Sequence, residues 1–151
     1  MSLFLRQIEA FFARLPGMAD ISEQSADILF LGIDHGINSV RDGGPLTPFV
    51  IIERAGERTL IRFHADTLED SVAQAVARIT AEPIAQGDRS LLVYDGYLTT
   101  QDAGRLDAIY AEALEADGTV AILAQRYKPK AILGKFQTIG NPALVPGKGK
   151  L

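Results

Sequence analysis

The chain of 151 residues contains no cysteine and no tryptophan, and only two histidines and two methionines. Without cysteine there is no disulfide framework, no thiolate zinc site, no cysteine nucleophile and no CxxC redox centre. A cysteine-free chain fits a reducing cytoplasm, the location expected here. Long apolar runs are also missing. The densest cluster, Ile28-Leu29-Phe30-Leu31, is far shorter than a bilayer span requires. No charged start followed by an apolar run and a small-residue cleavage site is present, so neither a signal peptide nor membrane insertion is expected. Lysine is absent before position 128.

Catalytic motifs are absent as well. There is no GxSxG elbow and no Ser-x-x-Lys pair for nucleophilic catalysis. There is no GxGxxG, and the Gly-Lys pairs at 134–135 and 147–148 lack the frame and following helix of a phosphate-binding loop. His35 and His64 occur without an HExxH, HxH or EF-hand pattern. Two histidines and a carboxylate could hold a divalent metal. Solvated or hydrogen-bonded loop histidines are the simpler expectation, and no cofactor is assigned.

What is present is an apolar, folded composition, 47% hydrophobic, enough for one domain with a real core. Charge is unevenly spread. All 19 acidic residues lie at or before Asp117, and with nine arginines they give residues 1–117 a net −10. Arg126 and five lysines give residues 118–151 a net +6. Such asymmetry marks an end that lies on an acidic body or meets a partner.

Residues 3–15 read as an amphipathic helix with a stripe of Leu5, Ile8, Phe12 and Leu15, closed by Pro16-Gly17. A second helix is expected from Ile21 to Leu31, capped by Asp20 with Glu23 three residues on, and ended by Gly32. The Gly-, Asp- and Pro-rich stretch after it reads as a loop, with a short strand at Ile37–Val40. Phe49–Arg54 and Arg58–Phe63 form a hairpin. A two-residue Ala55-Gly56 loop sets Arg54 against Glu57 and Glu53 against Arg58, two opposite-charge pairs. A third helix is capped by Asp66, with Leu68, Val72, Ala75, Val76 and Ile79 as its apolar stripe and Pro83 beyond its end.

Residues 89–129 read as a three-stranded antiparallel meander. Gln101–Gly104 makes the first turn and Asp117-Gly118 the second, as a type I′ loop. That loop pairs Ala116 with Thr119, Ala111 with Ala124, Tyr110 with Gln125 and Ile109 with Arg126. A rival reading takes 105–116 as a helix in a parallel crossover, since Leu106, Ile109, Tyr110, Ala113 and Leu114 also fall at helical spacing. A strand at Ile132–Thr138 and a flexible basic tail over 139–151 complete the chain. The expected architecture is a single α+β domain over residues 1–151. Its antiparallel sheet has about five strands (hairpin, helix, meander), packed by two N-terminal helices and one internal helix. The meander strands are apolar on both faces, so both need cover, from helices or from a second copy.

Two functions compete. The first is a non-catalytic binding or protein-interaction domain, homodimeric, with Gln125, Arg126 and Tyr127 as a contact patch beside Asp95, Asp107 and Glu112. The second is a metal-dependent hydrolase or nuclease-like enzyme using Asp95, Asp107 and Glu112 on neighbouring strands, or His35 with His64. The carboxylates are similar in outline to restriction-type nuclease cores that hold Mg²⁺, but no Asp/Glu-x-Lys triplet lies on these strands. The acidic body and sparse aromatic–basic interleaving argue against nucleic acid as the partner.

Overall fold

The computed structural model describes residues 21–151. The helix expected at 3–15 and its neighbour Asp20 lie outside them. Helix α1 (Glu23–Val40) starts at Ser22, whose hydroxyl accepts from the Ser25 backbone N–H. It buries Ser25, Ile28, Leu29, Gly32, Ile33, Gly36, Ile37 and Val40, a continuous run at i, i+3 and i+4. The helix therefore passes through Gly32, the expected stop, and the supposed strand at Ile37–Val40 is its last turn. The reason is steric. A Cβ on Gly32 would lie 2.6 Å from Leu91 Cδ2, and one on Gly36 would lie 2.6 Å from Ile109 Cγ2. Both glycines face the sheet and let the helix backbone approach it closely.

Strands β1 (Phe49–Arg54) and β2 (Glu57–Arg62) pair in the register that the charges specify, Arg54 with Glu57 and Glu53 with Arg58. Ala55 and Gly56 have φ of 51° and 83°, as a type I′ turn requires. Glu53 also meets Arg89 in a buried ion pair. Helix α2 (Leu68–Ala81) is capped by Thr67, which accepts from Asp70 N at 3.0 Å, and not by Asp66. Its buried residues are Ser71, Val72, Ala75 and Ile79; Leu68 is exposed.

Strands β3 (Arg89–Thr100), β4 (Gly104–Glu115) and β5 (Val120–Lys128) form the antiparallel meander, so the parallel-crossover alternative is excluded. The second turn differs from expectation. Glu115 N donates to Thr119 O, Gly118 N donates to Glu115 O, and Gly118 has φ of 89°. This is a three-residue loop with a left-handed glycine. Ala111 faces Leu123, Tyr110 faces Ala124 and Ile109 faces Gln125, one residue away from the expected pairing. The slip carries every β5 side chain to the opposite face. The last strand is β6 (Gln137–Leu144), later than the expected Ile132–Thr138. It tolerates Pro142 because it is an edge strand. Residues 139–144, expected as part of a flexible basic tail, belong to it.

The sheet has six antiparallel strands in the order β2-β1-β3-β4-β5-β6, against the five expected, in an α+β fold with two helices among the described residues. One face packs on α1 through Phe49, Ile51, Leu91, Val93, Ile109, Ala111, Leu123 and Tyr127. The other packs on α2 through Val50, Ile52, Leu92 and Tyr94. At about 1.5–3 kcal/mol for each buried large aliphatic side chain, these two layers are the main source of stability. No described helix is long and apolar enough to cross a membrane.

Candidate binding cleft

Helix α2 is only 14 residues long and packs on β1 and β3. The same sheet face continues over β4 and β5, where no described helix covers it. There the segment 145–151 crosses it, and Val145 N donates to Ile122 O at 2.9 Å. Between α2 and this segment lies a cleft of about 800 Å³. Leu68, Val72 and Val76 form one wall, Lys148, Gly149 and Lys150 the other, with Tyr94, Tyr110 and Ile122 in the floor.

The floor has an ordered aromatic pair. Tyr94 and Tyr110 are cross-strand partners whose rings stack at 5.3 Å and 4°. Gly96 leaves room for this, since a Cβ there would sit 3.2 Å from the Tyr110 ring. Tyr110 OH donates to Tyr97 O at 2.7 Å, and Tyr94 OH donates to Glu112 Oε2 at 2.5 Å. Burial, then the bond to Glu112, pushes the Tyr94 phenol well above its ordinary pKa.

Glu112 is the unusual group. It is fully buried on a strand between apolar neighbours, and no cation pairs with it within ion-pair distance among the described residues. Its carboxylate is satisfied instead by main-chain amides of the crossing segment. Lys150 N donates to Oε1 and Oε2 at 2.9 and 3.0 Å, and Leu151 N to Oε1 at 3.0 Å. A Cβ on Gly149 would fall inside contact distance of the carboxylate. A side chain there would have to displace the carboxylate.

The residues singled out from sequence are not brought together. Asp95 lies on the α1 side of the sheet, where Tyr127 OH donates to its two oxygens at 2.9 and 2.8 Å. Asp107 pairs with both Tyr97 and Tyr127 on that side. Burial raises the Asp95 pKa, as does the Asp107 charge, while the Tyr127 bond opposes the shift. Glu112, at an even position of β4, projects from the opposite face. The three carboxylates do not converge, and among the described residues no three His, Asp or Glu side chains are grouped to hold a metal. His35 is exposed on α1 with its ring edge-on to Phe49 at 5.8 Å, and His64 is exposed 3.5 Å from Thr47 Oγ1.

Gln125, Arg126 and Tyr127 alternate between faces and are engaged within the sheet. Gln125 Nε2 donates to the carbonyls of Arg126, Ile139 and Gly140, bracing the irregular β5–β6 pairing. Arg126 donates to Thr100 Oγ1 at 3.0 Å. Sequence reasoning missed the Tyr94–Tyr110 pair, although the Gly104 turn implies it. A three-residue loop closing at Gly104 sets Thr100 opposite it, and counting back sets Tyr94 opposite Tyr110. Comparison with family models, with curated proteins and with solved structures returned no match.

Proposed function

We propose that this domain works by binding, without catalysis of its own, and that the sheet face beside α2, open in part as the cleft and covered in part by residues 145–151, takes an extended peptide segment of a partner protein. The observation that carries the reading is Glu112, a buried carboxylate already bonded to the main-chain amides of an extended segment. Main-chain recognition beside apolar side-chain pockets is how grooves hold peptides. The stacked tyrosines support it, since rigid aromatic floors are favoured at interfaces. The hydrolase alternative has less support, because the carboxylates it needs lie on opposite faces of the sheet. A homodimer in a cytoplasmic setting belongs to the same proposal. The dimer is supported by Ile132 and Leu133, fully exposed side by side between β5 and β6.

The test is selection from a pool of random short peptides, followed by affinity measurement against the Ala73→Trp variant. Ala73 is an exposed residue of α2 that lines the cleft, so the indole fills the cleft without entering the core. Selected peptides are expected to lose about ten-fold or more in affinity, roughly 1.4 kcal/mol. Peptides that bind the variant as well as the parent would place recognition elsewhere.

A further inference from the structure

The contacts of residues 145–151 specify a ligand class. Glycine stands where the chain passes the Glu112 carboxylate, and a Cβ there would have to push the carboxylate aside. The next two residues present their N–H groups to it. The second of these, Leu151, places its side chain against the apolar cluster under α2. Lysines stand on both sides of the glycine and line the cleft. Among the described residues the segment's hydrogen bonds are Val145 N to Ile122 O and, next along the chain, the two amides on Glu112. Between these ties lie Pro146 and Gly147, the latter at φ of 91°, a conformation that glycine adopts without strain.

From this pattern we infer that residues 146–151 are a built-in occupant of the peptide site, and that the external ligand is a segment of like chemistry: Lys-Gly-Lys followed by an apolar residue. The inference rests on the cleft being a peptide site. Glu112 is then the recognition group for the ligand, read by two successive amides. Tyr94, donating to the same carboxylate, is a positioning residue that fixes its orientation. The occupant competes intramolecularly. A tethered segment acts at an effective concentration in the millimolar range, so an external peptide meets a site already largely filled, and its apparent affinity falls by the fraction occupied.

The test uses the full chain and a peptide of sequence Val-Pro-Gly-Lys-Gly-Lys-Leu, capped at both ends, measured by titration calorimetry. Gly149→Val sets a branched side chain against the Glu112 carboxylate, so the chain's own segment is expected to lift off while the residues of the site itself stay unchanged. This variant is expected to bind the capped peptide about ten-fold or more tightly than the parent. Adding Glu112→Gln to it is expected to abolish that gain, because an amide N–H₂ replaces one acceptor oxygen. A folded Gly149→Val chain that binds no more tightly than the parent overturns the inference. So does loss of cooperative unfolding in that variant, which would make the segment part of the fold and not an occupant. So does retention of the gain in the double variant. If randomly selected peptides are still blocked by Ala73→Trp while the capped peptide fails, the cleft reading stands and this inference alone falls.

Discussion

Glu112 and Glu115 lie three residues apart on β4 and project to opposite faces, and their surroundings give them different roles. Glu112 is held by the main-chain amides of Lys150 and Leu151 beside the cleft. Glu115 ties the start of α1 to the sheet, accepting from Ser22 Oγ and Ser25 Oγ at 2.6 Å each. Those hydroxyls, Ser22 first, hold the Glu115 carboxyl below its ordinary value of 4.5, against the opposing effects of burial and, last, of the Asp117 charge. A depressed pKa means that the fold stabilises the ionised form. The stabilisation is complete above the ordinary value and is lost as pH falls through the lower folded one. Asp95 has the opposite sign: its pKa is raised, so its contribution falls as pH rises through the folded value. Comparing the parent with Glu115→Gln isolates the first effect. Urea unfolding between roughly pH 5 and pH 3 is expected to show the parent losing stability more steeply than the variant. Parallel curves would mean that the two serines do not discriminate between the charged and neutral forms.

At the scale of elements, glycines decided what could be read from the sequence and what could not. Gly56 and Gly104 take left-handed turns and were legible as such. Gly32 and Gly36 read as breakers, yet they are the contact surface of α1. A glycine that ends a helix and one that seats it look alike in sequence, and only Leu91, Val93 and Ile109 beneath them separate the cases. Gly36→Ala tests this with a definite sign. Helix propensity alone favours alanine by about 1 kcal/mol. Overpacking against Ile109 and Val93 costs about 1–3 kcal/mol. Net destabilisation of up to about 2 kcal/mol is expected by urea unfolding, and any stabilisation would show that the helix does not need its close approach. The register of β1–β2 was legible because two charge pairs fix it. That of β4–β5 was not, because Asp117-Gly118 suits a two-residue and a three-residue loop alike. Asp117 Oδ1 accepts from Thr119 N at 2.9 Å, and this local bond, an Asx turn, accompanies the longer loop. The one-residue difference put Tyr127 beside Asp95 and Ile122 in the cleft floor.

For the whole molecule, the class of fold was legible from the order hairpin, helix, meander, and the two apolar faces of the meander prove to be covered by α1 on one side and by α2 with residues 145–151 on the other. The cleft was not legible, because its parts come from α2, from residues 94–97, from Tyr110 and Ile122 on separate strands and from the 145–150 segment, and nothing local marks them as neighbours. The same limit applies to assembly, where Ile132 and Leu133 are the most exposed large apolar side chains among the described residues. Between β5 and β6 the chain makes a tight turn in which Ala131 and Gly134 exchange backbone hydrogen bonds at 3.0 and 3.2 Å. Ile132 and Leu133 form its tip, both fully exposed. Loop tips are ordinarily polar, and two adjacent large aliphatics held in water by an ordered turn forgo about 1.5–3 kcal/mol each of available burial. A second copy related by two-fold symmetry would recover it, since an isologous contact brings the same turn from both subunits into one interface. Sedimentation equilibrium of the parent is expected to give a dimer. Ile132→Asp combined with Leu133→Asp is expected to give a monomer whose peptide binding in the cleft is retained, because the turn lies outside the cleft lining. A parent that sediments as a monomer at concentrations far above those of the binding experiments would remove the dimer from the proposal. A double variant that stays dimeric would place the interface on another surface, with the β2 edge of the sheet as the next to examine.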